Sequence, residues 1–231
     1  MQQDTSTQVL ADKTVRLSGM RGMIADKMME SLQTAAQLTH HAECDASGLI
    51  ATKDRLQSEG LKASIEDVLI DIVVETLARF PSLNGTVDGK DVKLSGAINI
   101  AVAIALPGDL LVAPAIMDAS RMTLAERVTA RRDVVERGKA GKLSVKEMTA
   151  GTFTISNLGL SRVKFFTPII NAPQIAILGV GEMAQRPWVV DGQIAIRSVM
   201  GLSLTFDHRA VNGAPAAQFL SELATAIEAL A

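Results

Sequence analysis

The longest apolar stretch of the chain covers residues 97–117, and it cannot be a membrane helix. Pro107-Gly108-Asp109 breaks its middle and Pro114 follows. A bilayer-spanning helix needs about 20 uninterrupted apolar residues, and a turn dipeptide with a carboxylate has no place at its midpoint. Two buried strands, over 98–106 and 110–116, joined by a tight turn, fit the pattern. A chain of 231 residues that is 48% hydrophobic has the material for a sizeable core, which excludes wholesale disorder. Its 23 basic and 25 acidic residues nearly cancel, so no strong field favours nucleic acid or an anionic membrane surface. One Trp and no Tyr leave little for stacking bases. The single cysteine, Cys44, can form neither an internal disulfide nor a cysteine-rich zinc site, and reads as a small buried residue.

Residues 1–15 are polar and aperiodic and are expected to form a flexible arm. They carry neither a basic-then-apolar signal sequence nor an Arg-rich transit segment, so a cytoplasmic chain is expected. From Met20 the pattern turns helical, with Met20, Met23, Ile24, Met28 and Leu32 on one face. A strand is expected over 38–45 and a helix over 47–57. A second helix starts at a Ser64–Asp67 capping pair and stops at Pro81. Val87-Asp88-Gly89-Lys90 is a hairpin signal. Residues 123–138 read as a charged helix whose Arg127, Arg131, Arg132 and Arg137, interleaved with Glu126, Asp133 and Glu136, form a solvated face rather than a phosphate site. Strands follow over 152–158, 175–179 and 198–206, with a hairpin at 190–193 and a final helix over 214–230 carrying Pro215 in its first turn. Strands and helices mix without strict alternation. The expected class is therefore α/β (α+β), a mixed sheet with packed helices, in one domain over 16–231.

Few residues could carry chemistry. His40 and His41 are adjacent on a predicted strand and point to opposite faces, so they cannot converge on a metal. His208 sits just past an apolar strand, in Asp207-His208-Arg209-Ala210-Val211-Asn212-Gly213. A loop at a strand end can present an imidazole to a cleft, and its unperturbed pKa of about 6.5 suits general-base work. Thr152, Thr154 and Ser156 share one face of their strand, where a hydroxyl can donate to a developing oxyanion. The pattern is not a Gly-x-Ser-x-Gly elbow, so a hydrolase-type serine nucleophile is not indicated.

Several motifs, in order, resemble a known family. Arg21 to Ser31 resembles an RxxIAxxMxxS opening, Gly151 to Gly159 a GTFTISNLG strand, Thr167 to Gln174 with Ile177 to Gly181 an FTPIINPPQ…ILGVG segment, and Asp207 to Ala214 a DHRxx(D/N)GA motif. Together they resemble the catalytic core domain of dihydrolipoamide acyltransferases, the E2 components of 2-oxo acid dehydrogenase complexes, within the chloramphenicol acetyltransferase-like superfamily. The resemblance implies a chloramphenicol acetyltransferase-like two-layer fold. It implies transfer of an acyl group, acetyl by preference in a pyruvate- or acetoin-type complex, between dihydrolipoyl-lysine and coenzyme A. The implied site lies between neighbouring subunits of a trimer, with His208 of one as general base facing Ser156 of the next as oxyanion donor, and Asn212 at a position that is Asp or Asn. Arg21 is the implied brace for the 207–213 loop. The implied partners are a homotrimer built into a cubic or dodecahedral core, the dehydrogenase components E1 and E3, and a lipoyl domain not present in this chain; nucleic acid and membrane are not among them. Two other readings stand beside it: a structural scaffold core with weak catalysis, and a small-molecule acetyltransferase of the chloramphenicol type.

Overall fold

The computed structural model describes residues 12, 14–108 and 110–230. Most of the expected arm, and Asp109 of the expected turn, lie outside the described residues. A six-stranded sheet organises the chain, in the order β1 (Gln37–Asp45), β10 (Gln193–Asp207), β9 (Ala176–Val190), β8 (Phe153–Asn157), β4 (Ile100–Val102) and β7 (Ala115–Ile116). β8 runs parallel to both neighbours, and the other pairs are antiparallel. The mixed sheet and packed helices expected from the sequence are both present.

The period-2 alternation of the central strands divides the labour of the two faces. Phe153, Ile155, Leu178, Val180, Leu202, Leu204 and Phe206 point into one core with α2 (Ser47–Ser58), α3 (Ile65–Arg79) and α6 (Gly213–Glu228). α3 begins where expected. Ser64 accepts from the Asp67 N–H while Asp67 accepts from the Ser64 N–H, satisfying two donors at the helix start. Phe153, Phe206 and Phe219 are fully buried; cutting one to alanine costs about 3–5 kcal/mol.

The other face carries Thr154, Ser156, Ile177, Gly179, Ser203 and Thr205, and a crossing segment over residues 163–174 lies on it. The crossing is close. A side chain on Gly181 would place its Cβ 2.0 Å from the Lys164 carbonyl oxygen, and one on Gly201 would sit 2.1 Å from the same atom. α1 (Gly19–Thr34) caps this layer. The Ser31 hydroxyl donates to the Ile170 carbonyl at 2.6 Å.

Three expectations need correction. Ser31, not Leu32, is the buried residue of α1, and Met23 and Leu32 are largely exposed, so the apolar stripe is wider than this chain alone covers. The apolar run forms four short strands rather than two. β4 and β7 join the sheet, whereas β5 (Ile104–Leu106) and β6 (Leu110–Val112) form a separate hairpin. The break falls at Ala103 and Pro114, where proline has no N–H to give a ladder, and Ile104 turns to pack on Gly138. Lastly, α4 (Leu124–Lys139) is not wholly solvated. Arg127 is buried, donating to the Ala119 carbonyl and pairing with Asp71 at 2.8 Å. Arg131 is held by Glu66 and the buried Asp67.

β2 (Gly85–Asp88) and β3 (Asp91–Leu94) make the small hairpin expected at Asp88-Gly89. β9 and β10 are 15 residues each and run beyond the sheet to a tight turn at Asp191-Gly192, both with positive φ. The projecting arm leaves Val189, Ile194 and Ile196 exposed. Among the described residues no helix is long and apolar enough to cross a membrane.

Candidate active site

Ser156 stands near the carboxyl end of β8, two residues beyond the buried Thr154 and on the same face. Neighbouring side chains lock Thr154. Its hydroxyl donates to Gln174 Oε1 at 2.5 Å and accepts from Asn171 Nδ2 at 3.3 Å. Ser156 is half-buried, and its side chain has no hydrogen-bond partner among the described residues. It lines a cavity of about 460 Å3 roofed by Met20, Met23, Ile24, Lys27 and Met28 of α1 and walled by the crossing segment. The end of the strand is pinned from behind. Asn157 Nδ2 donates to Glu66, its Oδ1 accepts from the Gly159 N–H, and Glu66 pairs with Arg131. A hydroxyl fixed on a strand and free of protein partners can donate to an oxygen that gains charge.

His208 follows β10 directly. Its N–H donates to the Ala36 carbonyl at 2.9 Å, and its ring lies tilted against Phe206, with centroids 5.9 Å apart. The imidazole is exposed, but its loop is firmly built. Asp207, buried to 1% exposure, accepts from the Ala36 and Arg209 N–H groups and from the Arg209 guanidinium. Burial pushes the Asp207 carboxyl up, but the hydrogen bonds and charge of Arg209 outweigh it and hold the carboxyl below the usual range. Val211, buried in the core, anchors the far side of the loop. Asn212 is the exposed N-cap residue of α6, and its side chain makes no capping bond. Among the described residues Arg21 Nη2 donates to the Gly108 carbonyl at 2.8 Å, while Arg209 holds the 207–213 loop.

The expected pair does not meet within one chain. Ser156 is level with Gly179 on β9, whereas the Asp207 N–H bonds the Ile175 carbonyl, which puts His208 level with Gln174. The two are two strands apart and offset by five residues, or about 10 Å across the sheet and roughly 16 Å along it. His208 lines no part of the Ser156 cavity.

The other histidines face opposite ways, as expected: His41 Nδ1 lies 2.9 Å from Ser203 Oγ, and His40 packs edge-on to Phe206. No cluster of metal-ligating side chains occurs among the described residues. The Gln174 and Asn171 contacts to Thr154, and the place of Lys27 at the cavity, were not legible as site features. For Lys27 a signal existed, since it lies four residues before Ser31 on the helix row that faces inward.

The family of 2-oxoacid dehydrogenases acyltransferases (catalytic domain) matches residues 10–231. The chain is similar to the probable dihydrolipoyllysine-residue succinyltransferase component of the mitochondrial 2-oxoglutarate dehydrogenase complex of Schizosaccharomyces pombe, with 35% identity over 215 residues, 89% of this chain and 47% of that protein. Seven further relatives, 32–36% identical, carry the same succinyltransferase name. The chain spans about half the length of the curated relatives it matches. Among solved structures it is similar to Azotobacter vinelandii dihydrolipoamide acetyltransferase, in a study of a serine, a histidine and an asparagine in its catalytic mechanism (TM-score 0.86, 27% identity, 94% of this chain and 92% of that one). It is also similar to the cubic core of a pyruvate dehydrogenase multienzyme complex (TM-score 0.86, 28% identity, 94% and 92%). Chloramphenicol acetyltransferase shares the fold at 14% identity, 89% of this chain and 93% of that one, and a TM-score of 0.55.

Proposed function

This chain belongs to the 2-oxoacid dehydrogenases acyltransferase family, and from that premise we propose that it moves an acyl group between a dihydrolipoyl group and coenzyme A, as the E2 core of a 2-oxo acid dehydrogenase complex. The observation that carries the reading is the Ser156 hydroxyl, without a hydrogen-bond partner among the described residues, at the wall of a cavity on the hydroxyl-bearing face of the sheet. Spacing supports the assignment of residues. In the Azotobacter protein the histidine follows the serine by 52 residues and the asparagine follows the histidine by 4; His208 follows Ser156, and Asn212 follows His208, by the same intervals.

The chemistry runs as follows in this proposal. The His208 imidazole takes the thiol proton of coenzyme A, since a thiol with a pKa of about 8.5 is mostly protonated at neutral pH. The thiolate forms a C–S bond to the acyl carbon of the S-acyl dihydrolipoyl group, and Ser156 donates to the resulting oxyanion. Collapse breaks the acyl–lipoyl C–S bond, and the imidazolium returns its proton to the departing lipoyl sulfur. Asn212, four residues beyond His208, is the neutral third residue of the proposed site.

The separation of His208 from Ser156 favours a site shared between copies, with the histidine of one facing the serine of the next in a trimer or a larger cubic or dodecahedral core. The lipoyl domain and the dehydrogenase components E1 and E3 are the partners in this reading. The sequence favoured an acetyl donor, whereas the names of the curated relatives favour succinyl; the proposal takes succinyl. The test is thiol release from acyl-coenzyme A with dihydrolipoamide as acceptor. Transfer that falls by about 10²–10⁴ in His208→Ala is expected. A wild-type chain that transfers no acyl group refutes the reading.

A further inference from the structure

The geometry points to Lys27 as the residue that selects the acyl group, by pairing with a carboxylate at the far end of a short acyl chain. The inference rests on the acyl-transfer reading above and goes beyond it by naming the side chain that sets the preference.

The argument starts from the helix. Met20, Ile24, Lys27, Met28 and Ser31 recur at spacings of three and four, which places them on the side of α1 that faces the sheet. Such a row is ordinarily apolar, because whatever occupies it is withdrawn from water. Lys27 breaks the rule: it is exposed, and it lines the same cavity as Ser156. Of the described side chains lining that cavity it is the only ionisable one; Thr154, Ser156 and Asn171 are the only other polar ones among them, and the rest are Met, Leu, Ile, Val, Ala, Phe and Pro. Lys27 has no hydrogen bond or ion pair among the described residues. Partial burial pushes the ammonium below the usual lysine range, against the opposing pull of the Glu30 carboxylate one turn on. Lys27 also borders a second cavity, lined by Asp207 and Arg209 on the His208 loop. The cation therefore stands between the serine side and the histidine side of the chain.

Lys27 is exposed at the cavity mouth and its ammonium carries no hydrogen bond among the described residues, so a ligand carboxylate there gains a charge-assisted bond. A succinyl group brings that carboxylate and an acetyl group does not, so one cation both attracts the first and fails to reward the second. The anion at Lys27 could instead be a phosphate of coenzyme A, and the assay separates the two because every acyl donor carries the same coenzyme.

The experiment compares kcat/KM for succinyl- and acetyl-coenzyme A with dihydrolipoamide, in the wild type and in Lys27→Met, which keeps the stem and the helix propensity. The succinyl-to-acetyl ratio is expected to fall by about 10- to 100-fold, the scale of one hydrogen bond to a charged group. Lys27→Arg should restore most of the ratio. A mutation-free arm uses the wild type with the monoamide of succinyl-coenzyme A, which should lose the same factor as Lys27→Met loses with succinyl. Equal loss with both acyl donors assigns Lys27 to the coenzyme and overturns the inference, as does a wild type that prefers acetyl while still transferring it. A wild type that transfers neither group overturns the acyltransferase reading itself.

Discussion

Co-expressing His208→Ala chains with Ser156→Ala chains tests where the site is built. Within one chain the two side chains are separated by about 10 Å across the sheet and roughly 16 Å along it, too far for one substrate carbonyl to touch both. If the working pair forms across a head-to-tail interface, each site takes its histidine from one subunit and its serine from the neighbour. Each variant alone then has no intact site, and its turnover should fall to about one hundredth of wild type or lower. In an equal mixture half the chains offer an intact histidine and half an intact serine, so about one interface in four carries both. Recovered thiol release should therefore approach a quarter of the wild-type rate per site, roughly 25-fold over either parent. The assay is coenzyme A release from the co-purified mixture, beside the two parents mixed after folding. A co-expressed mixture no more active than its parents, with mixed oligomers verified by mass spectrometry, refutes the shared site, as does a wild-type monomer active at a dilution where light scattering shows no oligomer.

Other outcomes follow from the contacts. Ser156→Ala should lower kcat by about 10²–10³ with little change in KM, because its bond is made mainly in the transition state; a rise in KM alone would make Ser156 a binding residue. Asn212→Asp should fold within about 1 kcal/mol of wild type, since the position is an exposed helix N-cap where a carboxylate is welcome. The new charge should stabilise the His208 imidazolium, so the acid limb of the kcat profile should move to higher pH; an unmoved limb places residue 212 away from the imidazole. Arg131→Met strips the partner from the buried Asp67 and should cost about 3–5 kcal/mol in urea melts. Burial pushes the Asp67 carboxyl up, but Arg131 and Ser64 outweigh it and hold it below its unfolded value. Its contribution to stability is thus full above that unfolded value and lost as pH falls through the lower folded one, and Asp67→Asn should remove this acid dependence. Gly201→Ala would force Lys164 to move and should cost more than about 2 kcal/mol, with loss of transfer if the crossing segment shifts; a silent substitution would show the segment to be pliable.

The sequence made the elements with strong local codes legible. Ser64 and Asp67 marked the start of α3, Pro81 its end, and Asp191-Gly192 the long hairpin, because capping and turn chemistry are written in neighbouring residues. What stayed hidden depends on partners distant in the chain. Pro114 marks one interruption locally, but nothing local shows the break at residue 103, which goes with the packing of Ile104 beside the distant Gly138. The charges of α4 looked solvated because Asp67 and Asp71, which bury Arg131 and Arg127, come from a helix some 60 residues earlier. Within the site, the strand pattern placed Ser156 and the loop pattern placed His208, but their offset on the sheet follows from the register of β8, β9 and β10, which no single motif encodes.

The alternation along β8 also governs how this protein can change. Phe153 and Ile155 answer to the interior, while Thr154 and Ser156 face the cavity beneath α1, and consecutive residues are thus under unrelated demands. The shape of the cavity can be revised by substitutions on α1 and the crossing segment without disturbing the opposite layer, whose packing sets whether the chain folds at all. The same arrangement leaves no tolerance for a shift of a single residue, since sliding β8 by one would drive both hydroxyls into the hydrocarbon and both apolar side chains into the cavity at once.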